Sequence, residues 1–182
     1  PKGPIRYRIV EALTTNETLF FREVLAFAAL KDKVLPDLVA RRGPREPLHI
    51  WSAASSSGQE AYSIAMLVAT QFPQLAGRVK IIGTDISEKI LAKARQGRYN
   101  ALEVSRGLPP ELLSRCFTAV GTEWTVRDDL AHMTEFQAIN LIGDWPPLPM
   151  MDVIFMRNVL IYFDDQVRRA ILQKVWHRLK PD

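Results

Sequence analysis

From residue 48 onward, short apolar runs alternate with longer stretches of helical periodicity, and this alternation constrains the fold more than any other feature of the chain. Leu48-His49-Ile50-Trp51 reads as a buried strand, after which Ala61, Ile64, Ala65, Val68 and Phe72 recur at helical spacing. Val79-Lys80-Ile81-Ile82-Gly83-Thr84 gives the next strand, ending at Asp85, and Ser87 caps a helix that carries Ile90, Leu91 and Ala94 and closes near Gly97. There the rhythm breaks. Pro109-Pro110 opens a short helix, and Trp124-Thr125-Val126-Arg127 and residues 134–139 read as strands, the first of them one arm of a small hairpin. Residues 151–156 form another buried strand, and Asp164 starts a final helix with Val167, Ile171, Leu172, Val175 and Leu179 on one face. Parallel strands need crossovers, and helices of this length supply them. The pattern therefore predicts an α/β fold with a mainly parallel, doubly wound sheet.

Upstream, Thr14-Thr15-Asn16-Glu17 supplies capping residues ahead of Leu19, Phe20 and Phe21, which predicts a helix there. A second short helix is expected over residues 34–42, stopped by Gly43 and Pro44. At 182 residues the chain is long enough for one domain with a sizeable core. It has no apolar run of about 18 residues, so no membrane insertion is expected. Pro1-Lys2-Gly3-Pro4 is neither a signal peptide nor a lipidation signal, and Cys116 alone cannot form an internal disulfide, so the expected localisation is cytoplasmic. The net charge of +4 comes without a basic stripe interleaved with aromatics, and no nucleic acid partner is expected. His49, His132 and His177 lack metal-ligand spacing, and no metal is expected.

Ligands of doubly wound sheets bind at the carboxyl ends of the strands, near the point where strand order reverses. That rule selects residues 52–60, Asp85, the Asn140 region and Arg157-Asn158. The 52–58 loop is built of small residues, which let a ligand approach the backbone, yet it lacks the Gly-x-Gly-x-x-Gly pattern of pyrophosphate binders. Ser57-Gly58-Gln59-Glu60 fits a capping box, so Glu60 reads equally as a helix cap and as a ligand contact. Asp85, a carboxylate at a strand end, suits both hydroxyls of a ribose; an Asp-Ile-Ser turn capping the next helix is its structural alternative. Arg157 follows an apolar strand and needs a carboxylate partner or solvent, and Tyr162 offers a phenol whose ring packs while its hydroxyl points.

Taken in order, Thr14-Thr15-Asn16-Glu17-Thr18-Leu19-Phe20-Phe21-Arg22-Glu23, Trp51-Ser52-Ala53-Ala54-Ser55-Ser56-Ser57-Gly58-Gln59-Glu60-Ala61-Tyr62-Ser63, Gly83-Thr84-Asp85-Ile86, Asn140-Leu141 and Arg157-Asn158-Val159-Leu160-Ile161-Tyr162-Phe163 resemble the CheR-type chemotaxis receptor methyltransferases. Each motif is weak alone; the ordered set, spread over most of the chain, is specific. The resemblance implies a Rossmann-like sheet with a small inserted β-subdomain and an S-adenosylmethionine site. Carried over position by position, Asn16, Thr18 and Arg22 line the mouth, Glu60, Arg157 and Asn158 contact or flank the cofactor, Asp85 holds its ribose, and Asn140 and Leu141 lie beside its adenine. Arg22 and Tyr162 face the transferred methyl group, as catalytic residues. The implied substrate is a glutamate side chain on the cytoplasmic helical domain of chemoreceptors, and the product a glutamyl methyl ester.

On this reading residues 1–47 form an N-terminal linker and helices covering the active site, and residues 48–182 the cofactor-binding domain, with the β-subdomain inserted at 118–133. Against the family pattern only residues 1–13 precede the first motif, and Lys180-Pro181-Asp182 ends where the family continues with a glycine and further strands, so a chain shortened at both ends is expected. The 117–124 stretch is read as a short loop with only Gly121, which favours an enzyme that does not grip a receptor tail. Two other readings share the cofactor site: a methyltransferase of a small molecule or RNA, and a non-catalytic S-adenosylmethionine-binding signalling module.

Overall fold

A computed structural model describes residues 17–75 and 77–181. Four parallel strands form the central sheet: β1 (Leu48–Ala53), β2 (Val79–Asp85), β6 (Thr134–Ala138) and β7 (Val153–Met156), in the spatial order β6-β2-β1-β7. Strand order thus runs outward from β1 through β2 to β6, then reverses to place β7 on the other side of β1. The reversal opens a crevice at the carboxyl ends of β1 and β7. Only His49 in β1 and Lys80 in β2 escape full burial, the near-continuous apolar reading expected of parallel strands covered on both faces.

The strands sort their side chains by parity. Leu48 and Ile50 of β1, with Val79 and Ile81 of β2, face one core cluster, while Trp51, Ala53 and Ile82 face the other. The first cluster is covered by α3 (Gln59–Gln71), buried on nearly every side from Ala61 to Val68, and by α4 (Glu88–Gln96) through Leu91 and Ala94. Ile171 and Val175 of α8 (Asp165–Trp176) close the second. Ser87 and Asp164 cap their helices as the sequence predicts, accepting from the backbone N–H groups of Ile90 and Val167.

Between β2 and β6 the chain builds a second, antiparallel sheet from β3 (Arg98–Asn100), β4 (Phe117–Val120) and β5 (Glu123–Val126), ordered β3-β5-β4. Short helices α5 (Ala101–Ser105) and α6 (Pro110–Cys116) connect its first two strands, and α7 (Asp128–Ala131) leads on to β6. The stretch read as a loop at 117–124 is a hairpin instead, pairing Val120 with Glu123 across Gly121-Thr122. One strand of this sheet comes from 98–100, ahead of the 118–133 segment expected to hold it, because three residues between Gly97 and the helix that starts at Ala101 are too few to show a period.

The expected helix over Leu19, Phe20 and Phe21 is absent. Leu19 lies in irregular chain and Phe20 and Phe21 in a turn, and α1 (Val24–Ala29) begins only after Glu23. Tertiary packing overrides the capping signal. Phe20 is fully buried, edge-on to Tyr99 at 5.0 Å and to Phe117 at 5.7 Å, while the Phe21 N–H donates to Ser63 Oγ at 2.9 Å. The proposed cap residues Thr14, Thr15 and Asn16 lie outside the described residues. Gly107, at φ 84°, presses on this segment; a Cβ there would lie 2.1 Å from the Phe20 carbonyl oxygen.

The helix expected over 34–42 is α2 (Leu35–Arg41), joined to α1 without a break through a π-turn, Leu30–Val34, in which the Leu35 N–H donates to Leu30 O. Pro36 explains the register change. It has no N–H to give, and its ring would meet the carbonyl four residues back in a regular helix.

At the amino ends of the strands Asp152 gathers three segments. Its fully shielded carboxylate takes Lys180 Nζ at 2.9 Å, Arg42 Nε at 3.2 Å and the His49 N–H at 2.8 Å.

Candidate active site

The backbone leaves β1 through a loop with an unusual succession of left-handed residues, Ala54 (φ 59°), Ser56 (φ 50°) and Gly58 (φ 92°). A non-glycine residue there costs about 1–3 kcal/mol and persists only where its surroundings impose it. The imposing contacts are specific: Ser55 N–H to Thr84 O at 2.8 Å, Ser56 N–H to Asp85 Oδ2 at 2.9 Å, and Tyr99 Oη to Ser57 O at 2.7 Å. The small antiparallel sheet thus buttresses the loop through Tyr99.

Asp85 has both of the roles weighed from sequence within reach. Its Oδ1 accepts from the Ser87 N–H at 3.1 Å, the turn that leads into α4, and its Oδ2 holds the loop. The same residue lines a cavity at the carboxyl end of β2, where a ribose would lie.

Glu60 is not a cap. Gly58 occupies the N-cap of α3 without a side-chain bond, and the Glu60 carboxylate turns away, accepting from Ser52 Oγ at 2.7 Å and pairing with Arg157 Nη1 at 3.2 Å. Arg157 is the hub of the site. Besides Glu60 it pairs with Glu23 at 3.0 Å, donates to the Arg22 carbonyl at 2.6 Å and lies 5.8 Å from the centre of the Phe27 ring. Asn158, itself left-handed at φ 55°, donates from Nδ2 to Glu23 Oε1 at 3.1 Å. Glu23 carries no local signal of this role: Arg157 needs a carboxylate, but the one it finds lies 134 residues earlier in the chain.

The two carboxylates respond oppositely to these surroundings. Burial raises the Glu60 pKa above its ordinary 4.5, against the lowering effects of the Ser52 bond and Arg157. The Asn158 bond, followed by Arg157, lowers that of Glu23. Glu60 therefore contributes stability that is present below pH 4.5 and is lost as pH rises through its raised folded value. Glu23 contributes stability that is present above 4.5 and is lost as pH falls. Glu60→Gln removes only the first effect, so its urea midpoint relative to the parent is expected to rise between about pH 4 and about pH 7. A difference that falls with pH would mean that the Arg157 pairing outweighs burial.

These groups surround one cavity of about 470 Å³, within the range of roughly 300–1,000 Å³ typical of small-molecule sites. Its walls come from residues 17–22, Phe27 of α1, the 54–56 turn with Glu60, Asp85-Ile86, residues 139–142 and residues 157–163. Thr18, Arg22, Glu60, Asp85, Asn140, Leu141, Arg157, Asn158 and Tyr162 all line it; Asn16 lies outside the described residues. The donor set suits a nucleoside with a charged tail: a carboxylate at a strand tip, apolar sides from Ile86, Ile139 and Leu141, and two guanidinium groups across the opening. A second depression, about 610 Å³, lies toward the amino ends of the strands between Lys80, Glu135 and Pro147. It is away from the switch point. Among the described residues no cluster of three or more His, Cys, Asp or Glu could hold a metal ion, and no helix is long and apolar enough to cross a membrane.

The strand order and the crevice at its reversal define a Rossmann-like α/β domain with a small-molecule site at its switch point. In fold the chain is similar to the solved structure of the DszA carbon methyltransferase, with a TM-score of 0.53 over 80% of this chain and 29% of that one at 17% identity, a likeness of architecture alone. The chain belongs to the CheR methyltransferase family, whose S-adenosylmethionine-binding domain matches residues 16–182. It is 44% identical to chemotaxis protein methyltransferase 1 of Pseudomonas aeruginosa over 99% of this chain and 67% of that protein. It is 41% identical to chemotaxis protein methyltransferase Cher2 of Pseudomonas putida over all of this chain and 67% of that protein. The chain thus spans about two thirds of the length of these relatives.

Proposed function

We propose that the chain transfers the methyl group of S-adenosylmethionine to glutamate side chains on the cytoplasmic helical domain of chemoreceptors, leaving glutamyl methyl esters. The observation that carries this reading is the convergence of Arg22 and Tyr162 with Asp85, Glu60 and Arg157 on one cavity at the strand tips. When bound, S-adenosylmethionine supplies a methyl group that already carries its leaving group.

The chain's own residues bind and align. Asp85, at the carboxyl end of β2 and lining the cavity, accepts from the ribose hydroxyls. Ile86, Ile139 and Leu141 flank the base, with Asn140 at its edge, and Thr18 stands at the mouth. Glu60, Arg157 and Asn158 flank the amino-acid end as a neutralised set, so a zwitterion meets both signs of charge without leaving either buried alone. A substrate glutamate, pKa about 4.3, is ionised at neutral pH, so no residue has to take a proton from it. What remains is orientation, worth up to about 7–11 kcal/mol when the reacting groups are held in line. Arg22 orients the incoming carboxylate, and Tyr162, 61% exposed on the rim, positions the methyl-donor end.

Incubation with radiolabelled donor and receptor-bearing membranes is expected to put base-labile methyl groups on protein. Base-stable label, or label on RNA or small molecules, would replace this reading with one of the other methyltransferase classes. Cofactor binding with no transfer at all would leave a binding module. Asp85→Asn is expected to weaken S-adenosylhomocysteine binding in calorimetry by about 10- to 100-fold, from the loss of about 1.5–3 kcal/mol of charge-assisted hydrogen bonding. Unchanged affinity would remove the ribose role.

A further inference from the structure

We infer that Glu23 is a positioning residue, a latch that holds the front wall of the cavity against the tip of β7. The inference rests on the cofactor reading above. One Glu23 carboxylate oxygen meets Arg157, at 3.0 Å from Nη2 and 3.3 Å from Nε, and the other accepts from Asn158 Nδ2 at 3.1 Å. Both partners line the cavity on its β7 side. Glu23 directly follows Arg22, the end of the 17–22 wall, and just ahead of it Phe20 fastens the same segment to the small sheet. The wall is therefore fixed at two points: by apolar packing at Phe20 and by ionic bonds at Glu23.

Backbone conformation shows why the second point is needed. Phe21 (φ 49°), Glu23 (φ 60°) and Asn158 (φ 55°) are all left-handed without being glycine. Neither the wall nor the β7 tip takes up this shape by its own preference, and the carboxylate bridge joins two of the three strained positions. The latch also sets the guanidinium. Glu23 and Glu60 hold Arg157 from two sides, so its planar fork stays fixed where a single partner would let it swing. With a half-exposed side chain, Glu23 contributes little to the core, so its removal separates wall geometry from folding.

The test compares Glu23→Ala, Glu23→Gln and Asp85→Asn with the parent. S-adenosylhomocysteine affinity is measured by calorimetry, and hydrogen exchange is followed without ligand. Glu23→Ala is expected to weaken binding by about tenfold and to speed exchange at residues 18–23 and 157–158, while β1 and β2 amides keep their protection. Glu23→Gln, which keeps reach and one acceptor but loses the charge, is expected to fall between Ala and the parent. Faster exchange throughout the domain would mean a general structural role and would overturn the latch. Parent-like binding by Glu23→Ala alongside weakened binding by Asp85→Asn would overturn the latch and leave the cofactor reading standing. Parent-like binding by both would overturn the cofactor reading, and the latch with it.

Discussion

Replacing Arg22 with alanine is expected to lower methyl transfer to receptor by about 10²- to 10³-fold, the effect of removing one preorganised donor worth about 2.7–4 kcal/mol. Affinity for S-adenosylhomocysteine is expected to change by no more than about threefold. The split follows from how the wall is built. Its main chain is held at Phe20, at the Phe21 N–H through Ser63, and at the Arg22 carbonyl through Arg157, so none of these anchors uses the Arg22 side chain. Among the described residues that side chain donates from Nη1 to Glu17 O at 2.9 Å, and a guanidinium with five N–H donors can meet an incoming carboxylate as well. Lysine at this position would keep the charge and lose the fork, so Arg22→Lys is expected to recover only a small part of the rate. Single-turnover kinetics with saturating donor make the measurement, and a parent-like rate for Arg22→Ala would end its assignment as the orienting group.

Asp152→Ala is expected to cost about 3 kcal/mol of stability, because it removes the fully shielded partner of Lys180 and Arg42 and leaves them only the longer pairs to the half-exposed Glu46, at 3.7 and 3.5 Å. Lys180 and Arg42, both mostly shielded, converge on the Asp152 carboxylate, which is fully shielded, and the His49 N–H loses its acceptor as well. Denaturant unfolding is expected to show a lower midpoint with an unchanged slope. The folded fraction should still bind S-adenosylhomocysteine as the parent does, since the four residues of β7 separate Asp152 from Arg157 by roughly 16 Å. A loss below about 1 kcal/mol would show that water readily replaces the missing carboxylate.

The parts of this molecule that were legible in the sequence share one property: their cause is local. The runs at Leu48 and Val79 are strands because residues that must be buried on both faces leave a continuous apolar signature. Asp85 stood out because a carboxylate ending such a run has few structural reasons to be there, and Ser87 and Asp164 cap their helices through bonds three residues long. What the sequence leaves open or hides depends on partners far along the chain. Glu60 has the spacing of a cap as well as of a ligand contact, and Arg157, 97 residues on, pairs with its carboxylate. Leu19, Phe20 and Phe21 carry a helix-start pattern, but Phe20 is fully buried against Tyr99 and Phe117 of another sheet. Glu23 could not be singled out at all, because its importance lies in two contacts that exist only after β7 has been placed beside β1.

The strands of the central sheet carry unlike burdens at their two ends: a closed knot of charges at one, and an open, contorted mouth at the other. In many enzymes hardening the scaffold dulls the catalyst, because the same residues serve both ends. Here a designer seeking a heat-tolerant version has a region to work on, around His49, Arg42 and Lys180, whose rigidity makes no demand on the mouth. Natural sequences adapting to warm habitats have the same freedom, and their substitutions should gather at that base.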